Sequence, residues 1–89
     1  NFLGLNNNKK VQGVVELTVD AKPHKGQSPY VTFYIDKQFK TLKNYPPYSY
    51  TWDTTTVPNG YYTVEAMGYL EAGNATTTRR IRVYVDNPG

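Results

Sequence analysis

Cysteine is absent from the 89 residues. That excludes a disulfide scaffold and a thiolate metal site, and leaves packing to hold the chain together. The single histidine, His24, sits between Lys22 and Lys25 in the segment KPHKGQSP. Zinc binding and general-base catalysis both need convergent partners, so an isolated His between two lysines reads as a solvated loop residue. No apolar run approaches the roughly 18 residues of a membrane-spanning helix, so no membrane insertion is expected. Charge of one sign is nowhere concentrated. Ten Lys and Arg against seven Asp and Glu give +3, and Lys9, Lys10, Lys37, Lys40, Lys43, Arg79, Arg80 and Arg82 are scattered along the chain, without the stripe or motif of a nucleic-acid binder.

Catalytic parts are missing too. The carboxylates Glu16, Asp20, Asp36, Asp53, Glu65, Glu71 and Asp86 fall on separate elements, whereas a glycosidase needs two across a groove, about 5–9.5 Å apart. Ser28 and Ser49 lie in no nucleophile-elbow context, and there is no Gly-rich phosphate loop. The expectation is a chain with no enzymatic activity, no cofactor and no metal site.

What is present is period-two alternation rich in Val, Thr and Tyr, with Gly and Pro at short intervals and no convincing 3.6-residue period. Val15, Leu17 and Val19 alternate with polar residues; Val31, Phe33 and Ile35 share one face of YVTFYID. Phe39 to Leu42 reads as a brief strand closed by Pro46-Pro47. Tyr48, Tyr50 and Trp52 lie two apart and point the same way. The turn VPNG precedes a strand with Tyr62, Val64 and Ala66 inward, and after EAGN the last strand turns Ile81, Val83 and Val85 inward. These fifteen residues are the expected core. Six or seven short strands with turn signals at this spacing predict an all-β, immunoglobulin-like antiparallel β-sandwich of about seven strands. Residues 1–10 read as a linker or weak first strand, 11–86 as the domain, and 87–89 as a C-terminal linker. Because the chain starts at Asn1 rather than Met, it is expected to be a module of a longer protein.

The segments VQGVVELTVDA, VTFYIDKQ, PPYSYTWDTTTVPNG and YYTVEAMGYLEAGNAT together resemble the bacterial immunoglobulin-like repeats of secreted and cell-surface proteins. The resemblance runs from about Val11 to Val85, with PYSYTWDT its most specific part. It implies a seven-strand sandwich serving as a spacer or accessory module outside the cell or at its surface, often beside enzymes that act on polysaccharide or cell wall. The implied partners are neighbouring domains of the same chain, cell-wall polymer, polysaccharide or a surface protein. The chain departs from the family pattern at the hairpin, where Asp36-Lys37 replaces the usual Asp-Gly. A non-Gly residue at positive φ costs about 1–2 kcal/mol, so a different turn type is expected there. A basic KPHKG loop, and Leu70-Glu71 where an Asp is common, argue against calcium.

The outward positions offer one candidate binding face: Tyr34, Tyr61, Met67, Tyr69, Arg80, Arg82 and Tyr84. Tyr and Arg are enriched at interfaces, and exposed rings stack on sugars. Large β-formers also simply suit exposed strand positions. The leading function is therefore a non-catalytic spacer or interaction module, with a carbohydrate- or cell-wall-binding module using this face as the alternative.

Overall fold

A computed structural model describes residues 5–19, 29–71 and 74–88. His24 and its basic loop, Asp20, and the centre of the EAGN turn lie outside the described residues. Alternating residues build seven strands: β1 (Lys9–Val11), β2 (Val14–Thr18), β3 (Tyr30–Ile35), β4 (Gln38–Lys43), β5 (Ser49–Asp53), β6 (Gly60–Glu71) and β7 (Asn74–Val85). One sheet has the order β1-β7-β6-β3-β4, and β2 pairs with β5 in the other. A short 3-10 turn, Thr54–Thr56, is capped by Asp53, whose carboxylate accepts the Thr55 N–H at 3.0 Å.

The register places the apolar positions between the sheets. Val15 lies opposite Trp52 and Leu17 opposite Tyr50; Phe33 pairs with Ala66, and Val64 with Ile81. Phe33, Val31, Val64 and Val85 are fully buried, and Tyr48, Trp52, Ile35, Ala66, Ile81 and Val83 are nearly so. Val15, Val19, Tyr50 and Tyr62 are half-buried and pack on that cluster. Trp52 meets Tyr62 edge-on at 5.6 Å, and Phe33 lies 6.2 Å from Tyr50. Burying such side chains contributes about 1.5–3 kcal/mol each. Tyr62 Oη donates to the Pro58 carbonyl at 2.5 Å, tying β6 to the turn before it.

Two local expectations give way to different geometry. The sandwich is antiparallel except at one edge, where β1 runs parallel to β7 with Lys9 opposite Val83 and Val11 opposite Val85. This pairing is pinned by the asparagines upstream: Asn7 Oδ1 accepts the Arg82 N–H at 2.7 Å and Asn8 Oδ1 accepts Arg82 Nε at 3.0 Å. Leu5 is buried in the same cluster as Val11. At the β3–β4 hairpin the turn type does not change to spare the side chains. Asp36 and Lys37 both take positive φ, 48° and 68°, the conformation that Asp-Gly adopts in two-residue hairpins. The Asp36 N–H donates to the Thr63 carbonyl and its Oδ1 accepts the Thr63 N–H, both at 2.8 Å, which holds Asp36 in place.

The exit of the chain is also held. Asp86 N–H donates to the Val11 carbonyl at 2.9 Å. Asn87 and Asn59 exchange two bonds of 3.0 Å each, Asn59 Nδ2 to the Asn87 carbonyl and Asn87 N–H to Asn59 Oδ1. The Asn87 side chain in turn accepts the Gly13 N–H at 2.8 Å and donates to the Thr54 carbonyl at 3.2 Å.

Candidate functional site

The outer face of the five-stranded sheet carries every residue of the expected binding face, but in separate groups. At one end Tyr61 lies opposite Tyr84, their rings edge to face at 4.9 Å, with the Arg82 guanidinium over the Tyr61 ring at 4.6 Å. In the middle Glu65 lies between Tyr34 and Arg80. At the far end Tyr69 stacks on Tyr30 at 4.6 Å, only 8° from parallel, and its hydroxyl reaches the Met67 sulfur at 3.6 Å. Most of these rings meet each other rather than solvent. Tyr34, Tyr69 and Tyr84 are half-buried and Tyr61 is exposed.

Phe39 and Leu42 belong to this face and were not expected on it. They lie three apart, which a period of two assigns to opposite sides. A bulge at Lys40 resets the phase: Tyr34 pairs with Phe39, and Thr32 with Leu42, so both apolar side chains point outward, 58% and 47% exposed. Phe39 meets the Tyr34 ring at 5.9 Å. Thr32 beside them is buried, with an Oγ1 that has no hydrogen-bond partner. The sequence signal for this was the spacing itself, two large apolar residues out of phase within one short strand.

The same bulge gives β4 a polar inner side. Gln38 lies opposite Ile35 and Thr41 opposite Phe33. A cleft of about 360 Å³ opens between this edge and β5, walled by Tyr50, Trp52 and Tyr62 on one side and by Gln38 and Lys40 on the other. On the strand beside β5, the Glu16 carboxyl on β2, opposite Thr51 of the cleft lining, is held below the usual carboxylate range by hydrogen bonds from Thr51 and Ser49. Among the described residues, no three His, Cys, Asp or Glu side chains converge to hold a metal ion. No helix among the described residues is long and apolar enough to cross a membrane.

Residues 4–66 match the family described as bacterial Ig domain. The chain belongs to that family. Solved structures share the fold of this bacterial Ig domain. It is similar to the Clostridium thermocellum CbhA fibronectin(III)-like modules (TM-score 0.74, 18% identity), over 98% of this chain and 96% of that one. It also resembles part of the endo-beta-1,4-mannanase from Thermotoga petrophila (TM-score 0.75, 16% identity), over 98% of this chain but 19% of the mannanase. A third likeness is to a Jonesia denitrificans lytic polysaccharide monooxygenase structure (TM-score 0.60, 24% identity), over 89% of this chain and 58% of that one. At these identities the likeness is one of fold. No curated protein matches the sequence.

Proposed function

We propose that this bacterial Ig domain is a non-catalytic accessory module that sets the direction between neighbouring parts of a larger secreted or cell-surface protein, one attached to a polysaccharide-degrading enzyme. The observation that carries this is the parallel pairing of β1 with β7. Because the first strand runs in the same direction as the last, the chain enters β1 and leaves β7 at opposite ends of their paired segment. Antiparallel pairing would return both to one end, as suits a domain inserted into another. Both segments are also fixed, the first by Asn7 and Asn8 on Arg82 and the second by Asn59 on Asn87. A spacer needs both properties, since an unclamped end behaves as a flexible linker. The mannanase named above, of which the similar part is 19%, is the kind of enzyme such a module accompanies.

The outer face supports the competing sugar-platform reading less well, because its rings are satisfied by one another. Small-angle scattering on the chain flanked at both ends by an unrelated folded domain tests the proposal. An extended, head-to-tail particle is expected. A particle folded back with both flanking domains on one side contradicts it.

A further inference from the structure

The cleft between β4 and β5 has features the spacer role does not use. β4 is an edge strand whose bulge turns its apolar residues, Phe39 and Leu42, out to solvent and leaves Gln38 and Lys40 beside the inter-sheet gap. In a sandwich closed only for stability, this inner position is where an apolar side chain would cover the core. Here the gap stays open, with a volume of about 360 Å³, within the roughly 300–1,000 Å³ of small-molecule sites.

Its two walls differ in chemistry. One wall presents the half-buried rings of Tyr50 on β5 and Tyr62 on β6, with Trp52 of β5 set among them. The opposite rim carries the exposed Gln38 amide and the Lys40 ammonium, with Asp36 and Asp53 at the margin. Each of these carboxylates uses Oδ1 for a backbone N–H, of Thr63 and Thr55 respectively, at 2.8 and 3.0 Å. An ionised carboxylate has acceptor sites to spare beyond such bonds. The cleft margin therefore offers strong acceptors, a donor of three N–H bonds, an amide that does both, and aromatic surface.

We infer that this cleft is a binding site for a neutral sugar ring of a polysaccharide. A pyranose has C–H faces that pack on aromatic rings and a rim of hydroxyls that both donate and accept, which is what the two walls provide. The charge of the margin narrows the class further. Asp36 and Asp53 outnumber Lys40, so phosphates, nucleotides and uronic acids meet net like charge, which discriminates against them. The openness of the gap to water and its polar rim disfavour a lipid chain. This site lies on a different part of the molecule from the outer tyrosine face, and it does not depend on the spacer role: the scattering experiment reads chain direction alone, whereas sugar binding is read at Trp52.

The protein carries one tryptophan, and it lines the cleft, so its fluorescence is a built-in reporter. The experiment titrates the protein with mannotetraose, cellotetraose and xylotetraose, with galacturonic acid tetramer as the anionic probe, and follows Trp52 emission. A saturable change is expected with at least one neutral oligosaccharide, with half-saturation at or below about 1 mM, a typical affinity for a site without deep enclosure. Gln38→Ala combined with Lys40→Ala should weaken it at least tenfold, while unliganded emission and the thermal midpoint stay near those of the parent, because both side chains are exposed. Lys40→Glu provides a second variant with the same expected loss. Tyr84→Ser, on the outer face, should leave the titration unchanged. The inference is overturned if no neutral oligosaccharide alters the emission, if the acidic tetramer binds as well as the neutral ones, or if the response persists undiminished in the Gln38 and Lys40 variants.

Discussion

The two faces of the five-stranded sheet are built from the same kind of residue and do different things with it. Inside, Tyr62 meets Trp52 edge-on at 5.6 Å and both pack on a continuous apolar cluster. Outside, Tyr61 and Tyr84 also meet edge to face, at 4.9 Å, with the Arg82 guanidinium over Tyr61 and Lys10 paired beside Tyr84. The ring geometry is nearly equal; the surroundings are not. An aromatic pair adds about 0.5–1.5 kcal/mol beyond area burial wherever it forms, but only the inner pair adds the much larger contribution of core burial, carried by Trp52 at 3% exposed. Ring contacts on an outer sheet face are therefore poor grounds for assigning either stability or a binding site.

The sharpest way to break this comparison is at Trp52, which is 3% exposed. Trp52→Ala should destabilise the domain by about 3–5 kcal/mol, read by denaturant unfolding with tyrosine fluorescence or circular dichroism. A loss below about 1 kcal/mol, within the range of ordinary surface substitutions and mild core swaps, would place the ring outside the core. Next in size is Asn87→Ala. It leaves the Gly13 N–H without the partner it has at 2.8 Å and takes one of two donors, the other being the Val57 N–H, from the Thr54 carbonyl, and a cost of about 1–3 kcal/mol is expected. An unchanged denaturation midpoint would mean that water replaces the asparagine without loss.

On the outer face, Tyr84→Ser removes one ring from its pair with Tyr61 and should cost about 0.5–1.5 kcal/mol. An effect as large as that of Trp52→Ala would erase the distinction between the faces. The smallest change is of opposite sign. Lys37 sits at φ 68°, where an L side chain is strained by about 1–2 kcal/mol while glycine loses about 0.5–1 kcal/mol more entropy on folding. Lys37→Gly should therefore raise stability by about 0.5–1 kcal/mol, visible as a higher melting temperature. A decrease would show that the lysine makes compensating contacts.

Legibility in the sequence followed the reach of the rule being used. Alternation separates Val64 and Ala66 from Tyr61 and Met67 on β6, because that strand keeps an unbroken phase from Gly60 through Gly68 against β7. It fails on β4, where the bulge at Lys40 puts Phe39 and Leu42 on the same side, and the polar wall of the cleft was hidden for that reason. The two ends of the chain were illegible for another reason. Asn7 and Asn8 bond to Arg82, and Asn87 bonds to Gly13, Thr54 and Asn59. A polar side chain near either end looks like linker composition until its distant partner is known. The Asp36-Lys37 hairpin shows a third limit. The strain argument points to a different turn type, but the Thr63 bonds that hold Asp36 at positive φ come from a strand 27 residues away in sequence.

The central claim, that the chain is clamped on both sides of the domain, has a direct test. Because the protein has no cysteine, Asn6→Cys and Pro88→Cys, both at exposed positions, can be spin-labelled selectively and the distance between them measured by pulsed dipolar spectroscopy. One narrow distance distribution is expected in this pair, broadening toward that of a free end when Asn87→Ala is added. A broad distribution without that substitution, or one that Asn87→Ala leaves untouched, would contradict the account.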